Sequence, residues 1–261
     1  GGARAKAILA WHKETNEFRS GQVDAGEGFE YWIMKFDGIT SSTDTEVITP
    51  KGYGKIEYAY HLMAVEAGIE MTTCRLHHEG SRSHFMTKRF DRSVSGRKLH
   101  MQSLGAIAHY DYRQPASYSY EQVIQVIRRL GLPRKDMEQQ VLRAIFNIVG
   151  RNCDDHVKNI AFLMNRRGEW RLSPAFDISY AWNPGGEWTS QHQMSVNGKR
   201  DGFEREDLFA LAKAADIKKA RAEQMIQRVI EVVRRWPDFA GEAGVDDEQI
   251  KKIKAVHRTN L

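Results

Sequence analysis

Cysteine is scarce in this chain. Its 261 residues hold two, Cys74 and Cys153, far apart in sequence. That excludes a small disulfide-stapled fold, and a reducing, cytoplasmic setting is expected. Long apolar runs are missing as well. Every hydrophobic stretch is short and broken by charge, so the sequence offers no membrane span. The opening Gly1-Gly2-Ala3-Arg4-Ala5-Lys6 has no signal-peptide pattern. There is no internal repeat and no low-complexity segment. A large excess of one charge is lacking too: 39 basic and 34 acidic side chains leave +5. A modest excess of this kind suits a phosphate-rich ligand. The pairs Arg234-Arg235 and Lys251-Lys252 read as solvated helix faces, not as a nucleic-acid site.

What is present is enough apolar residue, 41%, to build one large domain or two small lobes. The first third reads as strands with one helix. Residues 6–11 are a short apolar strand, and 29–36 are aromatic and β-branched, a strand ending near Lys35. Apolar residues at Ile56, Tyr60, Met63, Ala64 and Ala67 predict a helix over 56–67, stopped by Gly68. Residues 71–76 and 84–90 read as a hairpin. A polar connector, 91–118, follows. Beyond it the pattern is helical, over 120–130 and again over 134–149 behind Pro133. Residues 160–164 and 169–172 form a second small hairpin, and Val196-Asn197-Gly198-Lys199 is a tight-turn signal. From about 204 the chain is mostly amphipathic helix, with Ala222, Met225, Val229 and Val233 on one face. The order predicts an α+β, two-lobed, protein-kinase-like layout. The six tryptophans read mostly as packing, and His61, His77, His78, His84, His100 and His192 as surface or hinge residues.

The chemistry concentrates in Asn152-Cys153-Asp154-Asp155-His156-Val157-Lys158-Asn159, followed eighteen residues later by Asp177. Asp154 and Asn159 are five apart, the spacing of base aspartate and metal asparagine in a kinase catalytic loop. Asp155 competes as base, but Asp154 alone has that spacing. Asp177 adds a second hard oxygen ligand for magnesium, and Lys158 a positive charge for the transferring group. Cys153 and His156 also have the spacing of half a zinc site, but no second ligand pair follows. Lys35, at a strand end, and Glu57, on the next helix, predict an ion pair of the kind that holds ATP phosphates. Gly1 and Gly2 could end a phosphate-covering loop.

On these residues the chain resembles the HipA-like serine/threonine kinases, the toxin halves of bacterial type II toxin–antitoxin systems. The carriers are Gly1 to Lys6, the strand ending at Lys35, Lys88-Arg89-Phe90-Asp91-Arg92, Gly150 to Asn159, and Leu172 to Ile178. The likeness covers nearly the whole chain. It implies an ATP-binding lobe over 1–92 and a helical lobe over 93–261 with catalytic loop and metal site. It implies Asp154 as the catalytic aspartate, with His156 and Lys158 in the same loop, and Asn159 and Asp177 as magnesium ligands. Lys35 would contact the ATP phosphates, Lys88 and Phe90 would offer backbone groups to the adenine, and Asp91 would meet the ribose. The implied partners are a protein substrate in the translation machinery, such as an aminoacyl-tRNA synthetase, and an antitoxin through which DNA is reached indirectly. No membrane is implied. Family members carry an N-terminal subdomain and an autophosphorylated serine before the Gly-Gly pair. This chain begins inside that loop, so a fragment or a split system is expected. Two other readings stand beside this one. The first is a catalytically silent subunit of an antitoxin–operator complex, against which the retention of Asp154, Asn159 and Asp177 argues. The second is a small-molecule kinase of the aminoglycoside type, which would close an acidic pocket instead of opening a groove beside Asp154.

Overall fold

The computed structural model describes residues 4–40, 52–93 and 96–261. Gly2, expected at the phosphate-covering loop, lies outside them. An antiparallel sheet is built first. β1 (Arg4–His12), β2 (Phe18–Ser20) and β3 (Phe29–Thr40) precede α1 (Tyr53–Glu66). β4 (Cys74–Glu79) and β5 (Arg82–Lys88) complete the order β2-β1-β3-β5-β4. Side chains alternate along β3. Trp32 and Met34 join Trp11 and Met86 in a small cluster on one face of the sheet. Lys35, one residue on, therefore projects from the other face.

α1 is a helix buried on more than one side. Ile56, Ala59, Tyr60, Met63 and Ala64 are all buried, and Gly68 (φ 95°) lies just past its end. These residues belong to one continuous apolar core with the helices that follow. Those elements are β6 (His100–Ser103), α2 (Leu104–Ile107), α3 (Tyr120–Arg129), α4 (Arg134–Val149), β7 (Ala161–Met164), β8 (Trp170–Leu172), α5 (Arg205–Ala214), α6 (Lys219–Arg234), α7 (Trp236–Glu242) and α8 (Asp247–Val256). β6, β7 and β8 form a second sheet. α3 begins in a capping box, Ser119 with Gln122. The tight turn at Val196-Lys199 closes with two backbone hydrogen bonds of 2.9 Å, Asn197 and Gly198 both at positive φ. Among the described residues no helix is long and apolar enough to cross a membrane.

The structure departs from the sequence-based expectation in several places: β3 runs on to Thr40, so Lys35 lies within the strand and not at its end. β2 was not anticipated, and the first hairpin is narrower, turning at Gly80-Ser81. The connector 91–118 holds β6 and α2; β6 is polar and pairs with β7 alone, at the edge of its sheet, so no apolar alternation announced it. Finally, His61, His84 and His192 are buried, not surface residues. His84 accepts the Asp37 N–H at 2.9 Å, and His192 bonds Asp155 at 2.8 Å. A ring that finds such partners is a satisfied interior residue.

Two rings, buried His61 and half-buried His257, make stability depend on pH. Burial pulls the pKa of His61 from 6.5 to about 4. Burial, helped by the charge of Arg151, pulls that of His257 from 6.5 to about 3. The unfolded chain therefore takes up these protons first. The stabilisation is intact above pH 6.5 and is lost as pH falls from there toward 4. Lowering the pH from 7 to 5.5 should cost about 2 kcal/mol of unfolding free energy through these two rings. Urea unfolding at both pH values checks it, and an unchanged midpoint would show that the rings are charged in the folded protein.

Candidate active site

The site is assembled from three elements. β3 supplies Lys35, α1 supplies Glu57, and the segment after β8 supplies Asp177. Lys35 Nζ donates to Glu57 Oε1 and, at 2.5 Å, to Asp177 Oδ1. Burial pushes the ammonium toward its neutral form, but the two carboxylates outweigh it and hold its pKa above the ordinary lysine value. Burial likewise pushes Asp177 upward; Lys35 overrides it and leaves the carboxyl below its usual range. Asp177 sits at φ 54°, a left-handed conformation that aspartate tolerates better than most residues.

The loop from Arg151 to Ile160 forms the facing wall. Three features hold it in place. At its start the chain leaves α4 through Gly150, where a side chain would meet Phe146 O at 3.0 Å and the Tyr60 ring at 3.4 Å. A Cβ there would crowd the Phe146 carbonyl by a few tenths of an ångström, which glycine avoids. Tyr60 then donates to Gly150 O at 2.6 Å. In the middle, Asp155 is buried and bonds Tyr120 Oη (2.8 Å), His192 Nδ1 (2.8 Å) and the Gln193 N–H (2.7 Å). Tyr120 accepts from Asn147, which in turn accepts from Asn152, both at 3.0 Å. At the far end, Asn159 donates its N–H to His156 O and its side-chain amide to Asp154 O, both at 2.9 Å.

These bonds separate the two neighbouring aspartates. Asp155 has its oxygens committed to the interior, whereas half of the Asp154 side chain, 51%, is exposed. Its Oδ1 lies 3.8 Å from His156 Nε2. Lys158 is held over the Tyr112 ring, 3.1 Å from the centroid. Because Asn159 spends its amide N–H on Asp154 O, its Oδ1 is the atom that would face a metal ion. Asn159 and Asp177 line one cavity with His156 and Phe176. Among the described residues no three His, Cys, Asp or Glu side chains cluster as a closed metal site. Two oxygen donors in an open pocket fit a magnesium ion, which keeps waters and takes phosphate oxygens. Cys153 does not suit zinc, since burial pushes its thiol up to about 12.

The other expected residues lie along β5 and beyond it. The Lys88 N–H donates to Thr73 O at 2.9 Å, and its ammonium pairs with Glu30. Phe90 packs against Phe176, ring centroids 5.5 Å apart. Asp91 takes a two-point contact from Arg89, 2.8 and 2.6 Å, and a third from Arg92 at 3.1 Å. Burial raises its pKa, but the guanidiniums win and lower it. The supporting network of Tyr120, Asn147, Asn152, His192 and Gln193 was not anticipated. One signal was available: Gln140, Arg143 and Asn147 make a polar stripe at helical spacing on α4, and all three are buried.

Comparison with known proteins follows the same line. The sequence profile of the HipA-like C-terminal domain matches residues 1–236. No curated protein sequence matches. Among solved structures, the HipA chain of a Shewanella oneidensis MR-1 toxin–antitoxin complex, with HipB and operator DNA, superposes with a TM-score of 0.73 at 17% identity. The match covers 98% of this chain and 62% of that one, so the present chain spans under two thirds of its relative's length. The Helicobacter pylori proinflammatory kinase CtkA superposes with a TM-score of 0.53 at 12% identity, covering 87% of this chain and 88% of that one.

Proposed function

Since the chain belongs to the family of HipA-like C-terminal domains, we propose that it is an ATP-dependent serine/threonine protein kinase core. The observation that carries this reading is the convergence on Lys35 of two carboxylates from separate elements, opposite a loop whose asparagine is tied to Asp154 O. Residues 1–92 would serve as the ATP-binding lobe and 93–261 as the helical lobe. Lys35, oriented by Glu57, would hold the phosphates. Phe90 and Lys88 would border the adenine and Asp91 the ribose. Asp154, exposed at the mouth of the site, would accept the proton of the acceptor hydroxyl, with His156 and Lys158 beside it. Asn159 and Asp177 would hold magnesium, which supplies charge neutralisation between the phosphate groups.

The exposure of Asp154 favours a protein hydroxyl over an enclosed small molecule. By analogy with the HipA–HipB–operator complex, an antitoxin partner and indirect contact with DNA belong to the proposal, as does a growth-arresting target in the translation machinery. A cytoplasmic setting goes with them. The test is magnesium-dependent transfer of labelled phosphate from ATP to proteins of a bacterial lysate, with Asp154→Ala in parallel. Label on serine or threonine from the parent chain alone is expected. Equal labelling by both would remove the kinase reading.

A further inference from the structure

Two loops border the candidate base, and each carries a large aromatic side chain into solvent. Tyr112 is 42% exposed and Trp188 45%. Among the described residues no other tryptophan, tyrosine or phenylalanine is exposed to that degree. Tyr112 lies between α2 and α3. Its ring meets the His156 ring edge-on, centroids 6.0 Å apart, and His156 Nε2 is in turn 3.8 Å from Asp154 Oδ1. Trp188 lies between Asp177 and α5. Its carbonyl accepts from the side-chain amide of Gln193, whose N–H donates to Asp155 at 2.7 Å. The two loops are joined to each other, since the Ala116 N–H donates to Gln193 O at 3.1 Å. Both rings are thus carried by segments anchored on the two residues that follow Asp154.

Neither loop is slack. Tyr110 stacks on Tyr118, ring centroids 4.3 Å apart, and Tyr118 Oη accepts the Asp111 N–H at 2.8 Å. In the other loop Asn183 accepts the Gly185 N–H with its side chain at 3.2 Å and the Gly186 N–H with its carbonyl at 2.9 Å. It donates its own N–H to Thr189 O at 3.2 Å. Rings held out to water on an ordered backbone add little to the fold, but they are contact area whose ordering cost is already met. Lys158 covers one face of Tyr112, 3.1 Å from the centroid, and leaves the other face for a partner. A hydroxyl brought to Asp154 within a protein chain carries its sequence neighbours with it, and these reach the two rings. Apolar neighbours gain most there, because contact with an aromatic face removes them from water.

We infer that Tyr112 and Trp188 select the acceptor, gripping apolar side chains that flank its serine or threonine. This rests on the kinase reading proposed above. The test is transfer of labelled phosphate from ATP, with magnesium, to a library of serine peptides whose flanking positions are held apolar, acidic or basic. The whole chain is compared with Tyr112→Ala, Trp188→Ala, Tyr112→Phe and Trp188→Phe. The parent should favour apolar flanks. Each alanine variant should raise KM for those peptides about ten-fold, the scale of a side chain that matters at an interface. Each phenylalanine variant keeps a ring and should stay near the parent, and calorimetry should show the same ATP affinity in all four. A preference for charged flanks or for none, an unchanged KM in the alanine variants, or a parent that labels lysate proteins but no peptide each overturns the inference alone. A parent that labels neither peptides nor lysate proteins overturns the kinase reading itself and this inference with it.

Discussion

Replacing Asp154 with alanine should cut phosphoryl transfer by about a thousand-fold, within the usual range for losing a positioned general base, while leaving magnesium-dependent ATP binding close to that of the parent. Asp177→Ala should do the opposite first: it should remove that binding. The two carboxylates sit in different surroundings. Asp154 is exposed, on a loop whose backbone is held by Asn159, with its Oδ1 3.8 Å from His156 Nε2. Asp177 bonds Lys35 directly and shares a cavity with Asn159. Its removal takes away a proposed metal ligand and leaves Lys35 with Glu57. Calorimetry with ATP and magnesium, alongside single-turnover transfer, separates the effects. Equal loss of binding in both variants would sink the division of roles.

A second large effect concerns the aspartate next door. Asp155→Ala should destabilise the fold by about 3 kcal/mol or more, because three buried groups lose their hydrogen-bond partner at once. Those groups are the Tyr120 hydroxyl, the His192 ring and the Gln193 N–H. The disturbance continues through Tyr120 to Asn147 and Asn152, which stand at the two ends of the turn into the loop. Asp155→Asn keeps one oxygen and should lose less. Denaturant unfolding of both variants measures this. A loss below about 1 kcal/mol for the alanine variant would mean that solvent replaces Asp155 at no cost.

The site was more legible in the sequence than the frame around it. Five-residue spacing from Asp154 to Asn159, and the lysine and glutamate on successive elements, follow local rules that survive without knowledge of tertiary contacts. The long helices were legible for the same reason: α4 runs from Arg134 to Val149, between Pro133 and Gly150, as its punctuation predicts. The edges were harder. β6 has no apolar alternation, since it lies at the edge of its small sheet. The buried histidines were illegible because a lone histidine carries no sign of its partner. His192 meets Asp155 across 37 positions and Asp37 meets His84 across 47. Such pairings exist only once the chain has folded.

One contact bears on how the cleft can open. Tyr60 on α1 bonds Gly150 O, three residues after Glu57 on one side and four before Asp154 on the other. α1 also shares its apolar core with α4, α6 and α7. Glu57 and Asp177 are then two jaws mounted on the same block, and the sheet brings only the tongue, Lys35, between them. Drawing that tongue out from between the jaws would break both of its ion pairs together. Admission of a ligand is thereby coupled to the loss of two ion pairs in a single movement. On the proposed reading, the resting cleft would be latched shut by its own binding groups, and a nucleotide would have to compete with Asp177 for Lys35.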